Sequence, residues 1–171
     1  MDHVSTQNRA LPASWGPVWK ELSGARREAM AFLLDHLPRC DLDCYPPDLF
    51  LRFADHALAL RESAPWCRAL DWEIFAHYVL FPRVNDEDLS LHRSIFHDSI
   101  WPRVKDLPTA EARVLEVNRW CCEHASYQAQ DERTASPLTV YRCGSGRCGE
   151  ESVFLVSALR SVGIAARQVY A

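Results

Sequence analysis

Over most of its length the chain spaces its apolar positions for helices rather than strands, and glycines and prolines cut it into segments of helix length. After Gly16-Pro17, where a proline suits a first helical turn, Val18, Leu22, Ala25, Ala29, Phe32 and Leu33 recur at helical spacing until Pro38, which predicts an amphipathic helix over 18–37. Pro46-Pro47-Asp48 opens a second, with Leu49, Phe50, Phe53, Ala57 and Leu60 on one stripe and Arg52, Asp55, Arg61 and Glu62 off it. The apolar run 72–81, closed by Pro82, and the segment 86–100, with Leu89, Ile95, Phe96 and Ile100 before Trp101-Pro102, predict two more.

Pro108-Thr109 opens another helix, with Glu111 in its first turn and Val114, Leu115, Asn118, Cys121 and Cys122 along one side, fading near Ser126. From 127 to 146 polar residues, Pro137 and two glycines predict a loop, interrupted by the apolar stretch Leu138-Thr139-Val140-Tyr141. The segment 148–162 then reads as a helix with Val153, Val156, Leu159 and either Ser152 or Leu155 inward, ended by Gly163. A strand is expected over 164–170, with 138–141 as the only plausible partner for it.

A length of 171 residues, 48% of them hydrophobic, is enough for a real core in one domain, or in one domain with an appendage. The 19 basic and 23 acidic residues form no run of one sign, which argues against nucleic acid and anionic membranes as partners. The stretch 1–9 has no apolar core of signal-peptide length, and no window reaches the ~18 apolar residues of a membrane span, so a soluble, cytoplasmic protein is expected. Seven cysteines, at 40, 44, 67, 121, 122, 143 and 148, are odd in number and irregular in spacing, which favours reduced thiols over a disulfide framework.

One of them sits where chemistry could begin. A cysteine nucleophile reacts as its thiolate, and the N-terminus of a helix favours negative charge through its unpaired N–H groups and dipole. Cys148 lies where such a helix should start. Gly146 and Gly149 flank it without Cβ atoms, allowing a sharp turn and close approach of a substrate backbone, and Arg147 adds a positive charge. The Cys148 backbone N–H could also donate to an oxyanion formed when the sulfur attacks an amide. Glu150 and Glu151 bring opposing negative charge to the same turn.

The run Gly146-Arg147-Cys148-Gly149-Glu150-Glu151-Ser152, followed by Ala158-Leu159-Arg160-Ser161-Val162-Gly163-Ile164-Ala165-Ala166-Arg167-Gln168-Val169-Tyr170, resembles the transglutaminase-like core, whose members are similar to papain in fold. Upstream, Tyr127-Gln128-Ala129-Gln130-Asp131-Glu132-Arg133-Thr134 resembles the run before the nucleophile in bacterial members, so the likeness covers 118–170. Ala165 stands where the family's Gly-Ile-Pro-Ala-Arg turn has proline.

The resemblance implies an α+β, papain-like core, here mostly α-helical with one or two short strands and an incomplete sheet. It divides the chain into a helical region, 1–107, packed on the first part of the core, 108–171. It further implies Cys148 as nucleophile, supported by Gly146, Arg147 and Gly149, acting on amide bonds of a protein or peptide by hydrolysis or acyl transfer through a thioester. No metal and no cofactor is implied. The family's order is Cys, His, Asp, yet no histidine follows position 124 and no aspartate follows 131, so the chain is expected to be a fragment ending before those strands, inactive alone, with an open strand edge available for self-association.

Two rivals remain. One is a non-catalytic interaction or scaffold domain that keeps the cysteine helix. The other is a peptide N-glycanase-like amidase, suggested by Gly-Arg-Cys-Gly-Glu but lacking the upstream Cys-x-x-Cys pairs. Elsewhere Cys143, the group His36, Cys40 and Cys44, the histidines His77, His92, His97 and His124, and the aromatics Trp66, Trp72, Phe75, Tyr78, Phe81 and Trp120 read as structural residues.

Overall fold

The computed structural model describes residues 11–129 and 134–169. The N-terminal stretch 1–9, residues 130–133 of the run that resembles the family, and Tyr170 lie outside them.

The expected helix over 18–37 is two helices, α1 (Gly16–Glu21) and α2 (Gly24–His36). The break comes at Leu22, which turns extended and buries its side chain, and Gly24 takes φ +52 to restart the chain. Arg27 seals the corner, donating from Nε to Leu22 O (3.0 Å) and from Nη2 to Trp19 O (2.9 Å), at the C-terminal end of α1. After α3 (Arg39–Cys44), α4 (Pro47–Ser63) has proline in its first turn and buries Phe50, Phe53, Ala57 and Leu60, the stripe read from the sequence. The short α5 (Pro65–Arg68) and α6 (Trp72–Phe75) follow, and α6 winds directly into a π-helical turn, Ala76–Leu80, that stops before Pro82.

The helix expected over 86–100 is displaced: α7 runs Arg93–Val104. Residues 84–92 cannot join it because the buried Glu87 carboxylate accepts from Val84 N (2.8 Å) and Asn85 N (2.7 Å), folding the chain into a tight bend. At the other end Pro102 sits inside the helix rather than ending it, since Ile100 and Val104 on either side are both fully buried.

Thr109 caps α8 (Ala110–His124), its Oγ1 accepting from Ala112 N (3.1 Å). The inward face of α8 is Val117, Trp120 and Cys121, so the face expected from the spacing is corrected: Val114 and Leu115 are exposed, Leu115 by 64%. The loop expected over 127–146, with its strand-like 138–141, holds helix α9 (Pro137–Cys143) instead. Ser136 caps it, accepting at Oγ from Thr139 N (3.2 Å), Pro137 starts it, and Gly144 at φ +69 ends it. Strand β1 (Ser126–Tyr127) pairs in parallel with β2 (Ser145–Gly146), Ser126 against Ser145 and Tyr127 against Gly146.

Helix α10 (Cys148–Ser161) then runs through the centre of the molecule and ends with Gly163 at φ +77, where a Cβ would lie 2.9 Å from that of Cys67. The strand expected over 164–170 is not formed by 164–169. Those residues are tied to Tyr78 and to α10 rather than to a ladder: Ala166 N donates to Tyr78 O (3.1 Å), and Ala166 O accepts from Arg160 Nε (3.0 Å). The fold is thus mostly helical with two short parallel strands, as the α+β reading required, but with different strands. No helix among the described residues is long and apolar enough to cross a membrane.

Two apolar clusters organise the packing. The first gathers Trp15, Met30, Leu33, Phe50, Phe75 and Leu80, among others, from the N-terminal helices. The second joins Phe96, Ile100 and Val104 of α7 to Trp120, Val140, Phe154 and Ala158. Polar bonds cross between them: Trp66 Nε1 donates to Val162 O (3.0 Å), and Arg160 Nη1 to Phe81 O (2.8 Å) and Arg83 O (2.9 Å). Because each cluster would expose α10 or its own helices without the other, the chain is expected to unfold in one calorimetric transition. Two separable transitions would contradict this.

Candidate active site

Cys148 is the first residue of α10 and is exposed. The chain reaches it through β2 and the extended Arg147 (φ −74, ψ 168), after which the helix begins with Glu151 N donating to Arg147 O (2.8 Å). Glu150, the third residue of the helix, turns back and is 1% exposed. Its Oε2 accepts from Arg147 N (2.8 Å) and its Oε1 from Ala135 N (2.6 Å), so one carboxylate clamps the cysteine turn to the segment entering α9. Negative charge in this first turn also complements the helix dipole.

The two flanking glycines differ. Gly146 is buried, and a Cβ on it would come within 3.1 Å of Glu150 Cβ and 3.3 Å of Glu150 Oε2, so the missing side chain makes room for the clamp. At Gly149 a Cβ would meet nothing within 4 Å. The Arg147 guanidinium reaches away from the helix to Thr134 Oγ1 (3.5 Å), and Ser152 Oγ donates to Cys148 O (2.9 Å) within α10.

Cys148 borders an open cleft of about 410 Å³ between α8 and α10. Asn118, Cys121, Cys122 and Ala125 form one wall, and Cys148, Glu151, Ser152, Phe154 and Leu155 the other. The side of α8 that carries Asn118, Cys121 and Cys122 therefore partly lines a cleft. Beneath it Phe154 packs on Trp120 (ring centroids 5.5 Å apart) and edge-on to Phe96 (5.3 Å), with Tyr141 stacked on Trp120 (5.7 Å), a firm apolar base. Of the cleft thiols, Cys121 is pushed up to about 12 by burial, which keeps it protonated and inert.

The described lining contains no histidine and no aspartate. His124, close in sequence to this wall, has its ring stacked on Trp120 (4.4 Å) and Tyr141 (5.2 Å), with Nδ1 2.7 Å from Trp120 O. His92 is buried among Phe53 and Phe96, His97 stacks on Trp101, and His36 and His77 pack around Phe32. Cys143 is exposed at the last position of α9. The structure thus brings Gly146, Arg147, Cys148 and Gly149 into one turn and adds two features that the spacing did not disclose, the Glu150 clamp and the aromatic base. A glutamate three residues after the helix-preceding Arg147 is a capping-box position and could have pointed to the first. The second depends on contacts between residues far apart in the chain.

No curated protein and no solved structure matches the chain significantly. A family model does match: that of the transglutaminase-like superfamily, over residues 101–171, from the last turn of α7 through α8, α9 and α10. Residues 101–171 are thus similar to the transglutaminase-like superfamily, and the hundred residues before them lie outside the match.

Proposed function

We propose that Cys148 is the nucleophile of an acyl-transfer site acting on amide bonds of a protein or peptide. The observation that carries this reading is its position: an exposed thiol on the first residue of α10, facing an open cleft. The sulfur attacks the amide carbonyl carbon, the C–N bond breaks, the amine leaves with a proton, and the acyl group remains on sulfur as a thioester until water or a second amine takes it. The Cys148 N–H, which has no acceptor within its own helix, is the donor for the oxyanion formed on the way. Gly149 leaves open space beside the sulfur, and Arg147 and Gly146 shape the turn.

Proton transfer is the step for which the described lining of this cleft offers no histidine. A base must deprotonate the thiol and an acid must protonate the amine, and among the described residues Glu151 is the only ionisable lining residue other than the cysteines. The chain alone is therefore expected to show no amidase or transamidase turnover. The same feature favours a second reading, a binding domain that keeps the cysteine helix without catalysing.

Thiol chemistry separates the two. Peptide mapping after limited iodoacetamide should show Cys148 modified faster than the other exposed cysteines, Cys40, Cys44, Cys122 and Cys143. Cys148 among the slowest would favour the binding domain. Turnover by the chain alone that disappears in Cys148→Ala would refute the expected inactivity.

A further inference from the structure

A second cleft, away from Cys148, lies where α4 meets the start of α7. It has a volume of about 200 Å³ and is bordered by Arg52, Phe53, His56, Leu91, Arg93 and Ser94, with Asp55 at its side. Arg93 is the unusual member. It is 4% exposed, its Nη2 donates to Phe81 O (3.0 Å), and its guanidinium lies 4.7 Å from the Phe53 ring centroid, but Nε and Nη1 have no hydrogen-bond partner. No carboxylate among the described residues forms an ion pair with it, and Arg160, also buried and also donating to Phe81 O, adds like charge nearby. A buried guanidinium without counter-charge is costly, and proteins rarely leave one so.

The cleft also receives the N-terminus of α7, a 12-residue helix. Its first intrahelical donor is Phe96 N, to His92 O (3.0 Å), so the N–H groups of Arg93, Ser94 and Ile95 precede the ladder. The one carboxylate in the lining, Asp55, is held bidentately by Arg26 (2.6 and 2.7 Å), which leaves the charges of Arg52 and Arg93 uncancelled. Two guanidinium charges and a helix N-terminus on one small cleft match a doubly charged oxyanion.

We infer that this cleft binds a phosphate dianion, either inorganic phosphate or the phosphate group of a small monoester. The anion gives Arg93 the counter-charge that no described side chain supplies and accepts from the first amides of α7.

The test is a titration of the full chain followed by amide NMR shifts, with inorganic phosphate, glycerol phosphate, acetate and sodium chloride compared at equal ionic strength. Saturable shifts at Ser94 and Ile95 are expected with phosphate, at least three-fold weaker in Arg52→Ala, whose exposed side chain is not needed for folding, and lost in Arg93→Met. Tighter binding of glycerol phosphate than of inorganic phosphate identifies a monoester as the occupant; the reverse identifies the free ion. Shifts no larger than those from chloride, acetate binding as tightly as phosphate, or affinity unchanged in Arg52→Ala would overturn the inference.

Discussion

Replacing Glu150 by alanine is expected to lower the stability of the chain by about 3 kcal/mol, because two backbone N–H groups lose a charged acceptor in a place water does not reach. The carboxylate is buried and binds Arg147 N and Ala135 N, one on each side of α9. Alanine also vacates the space that Gly146 leaves for this side chain, so a small void adds to the loss. Glu150→Gln should fall between the two, since an amide presents only one acceptor oxygen to the two donors. Urea unfolding midpoints measure the change. A loss below about 0.5 kcal/mol would mean that the clamp contributes no more than an ordinary surface residue. The same variant should alter the alkylation rate of Cys148, because the turn carrying the sulfur is held by Arg147 N, whereas a distant core substitution of equal cost should not.

Acid should destabilise the fold through two histidines. Burial, reinforced by the charge of Arg93, lowers His92 from 6.5 to about 3 and His56 from 6.5 to about 4. Their folded forms take up protons less readily than the unfolded chain does. The stability they contribute is therefore complete above pH 6.5 and is withdrawn as pH falls toward the folded values. At ~pH 5 each has withdrawn about 2 kcal/mol, or about 4 kcal/mol together, a large share of a typical domain's stability. Urea midpoints taken from pH 7.5 down to ~pH 5 should fall steeply. In His56→Gln, whose amide can keep the bond to Ser161 O, the fall should be about half as large. A midpoint indifferent to pH over this window would show that these rings are charged or solvated in the folded chain.

Helix α4 was legible almost to the residue, because a proline start and an apolar stripe of period 3.6 are local features that packing had no reason to override. The start of α10 was legible too, since Gly-Arg-Cys-Gly followed by apolar residues announces a turn into a helix. In α8 the helix was clear but its inward side was not: Val114 and Leu115 match the apolar period as well as Val117 and Trp120, and only the positions of α7 and α10 decide which side is covered.

The segments 138–141 and 164–169 show the same limit for strands. Leu138-Thr139-Val140-Tyr141 is a good strand by composition, yet the Ser136 cap, Pro137 and Gly144 around it make a helix of it. Ile164 to Val169 looks like a strand after its glycine, but its Ala166 N–H and C=O go to Tyr78 and Arg160 instead of a neighbouring strand. A strand exists only through its partner, and the identity of that partner is not written in the strand.

By itself, then, the sequence determined the helical character of the chain, the turn that presents Cys148 and the likeness to the transglutaminase-like superfamily, because periodicity, caps and glycine placement act over a few residues. Tertiary structure alone decided which face of α8 borders the cysteine cleft, that Glu150 is buried with a bond to Ala135 N, that His124 is spent in an aromatic stack, and that Arg93 is buried without a counter-ion. Each of these depends on groups distant in the chain meeting in space, where burial and charge pairing, rather than local propensity, set the outcome.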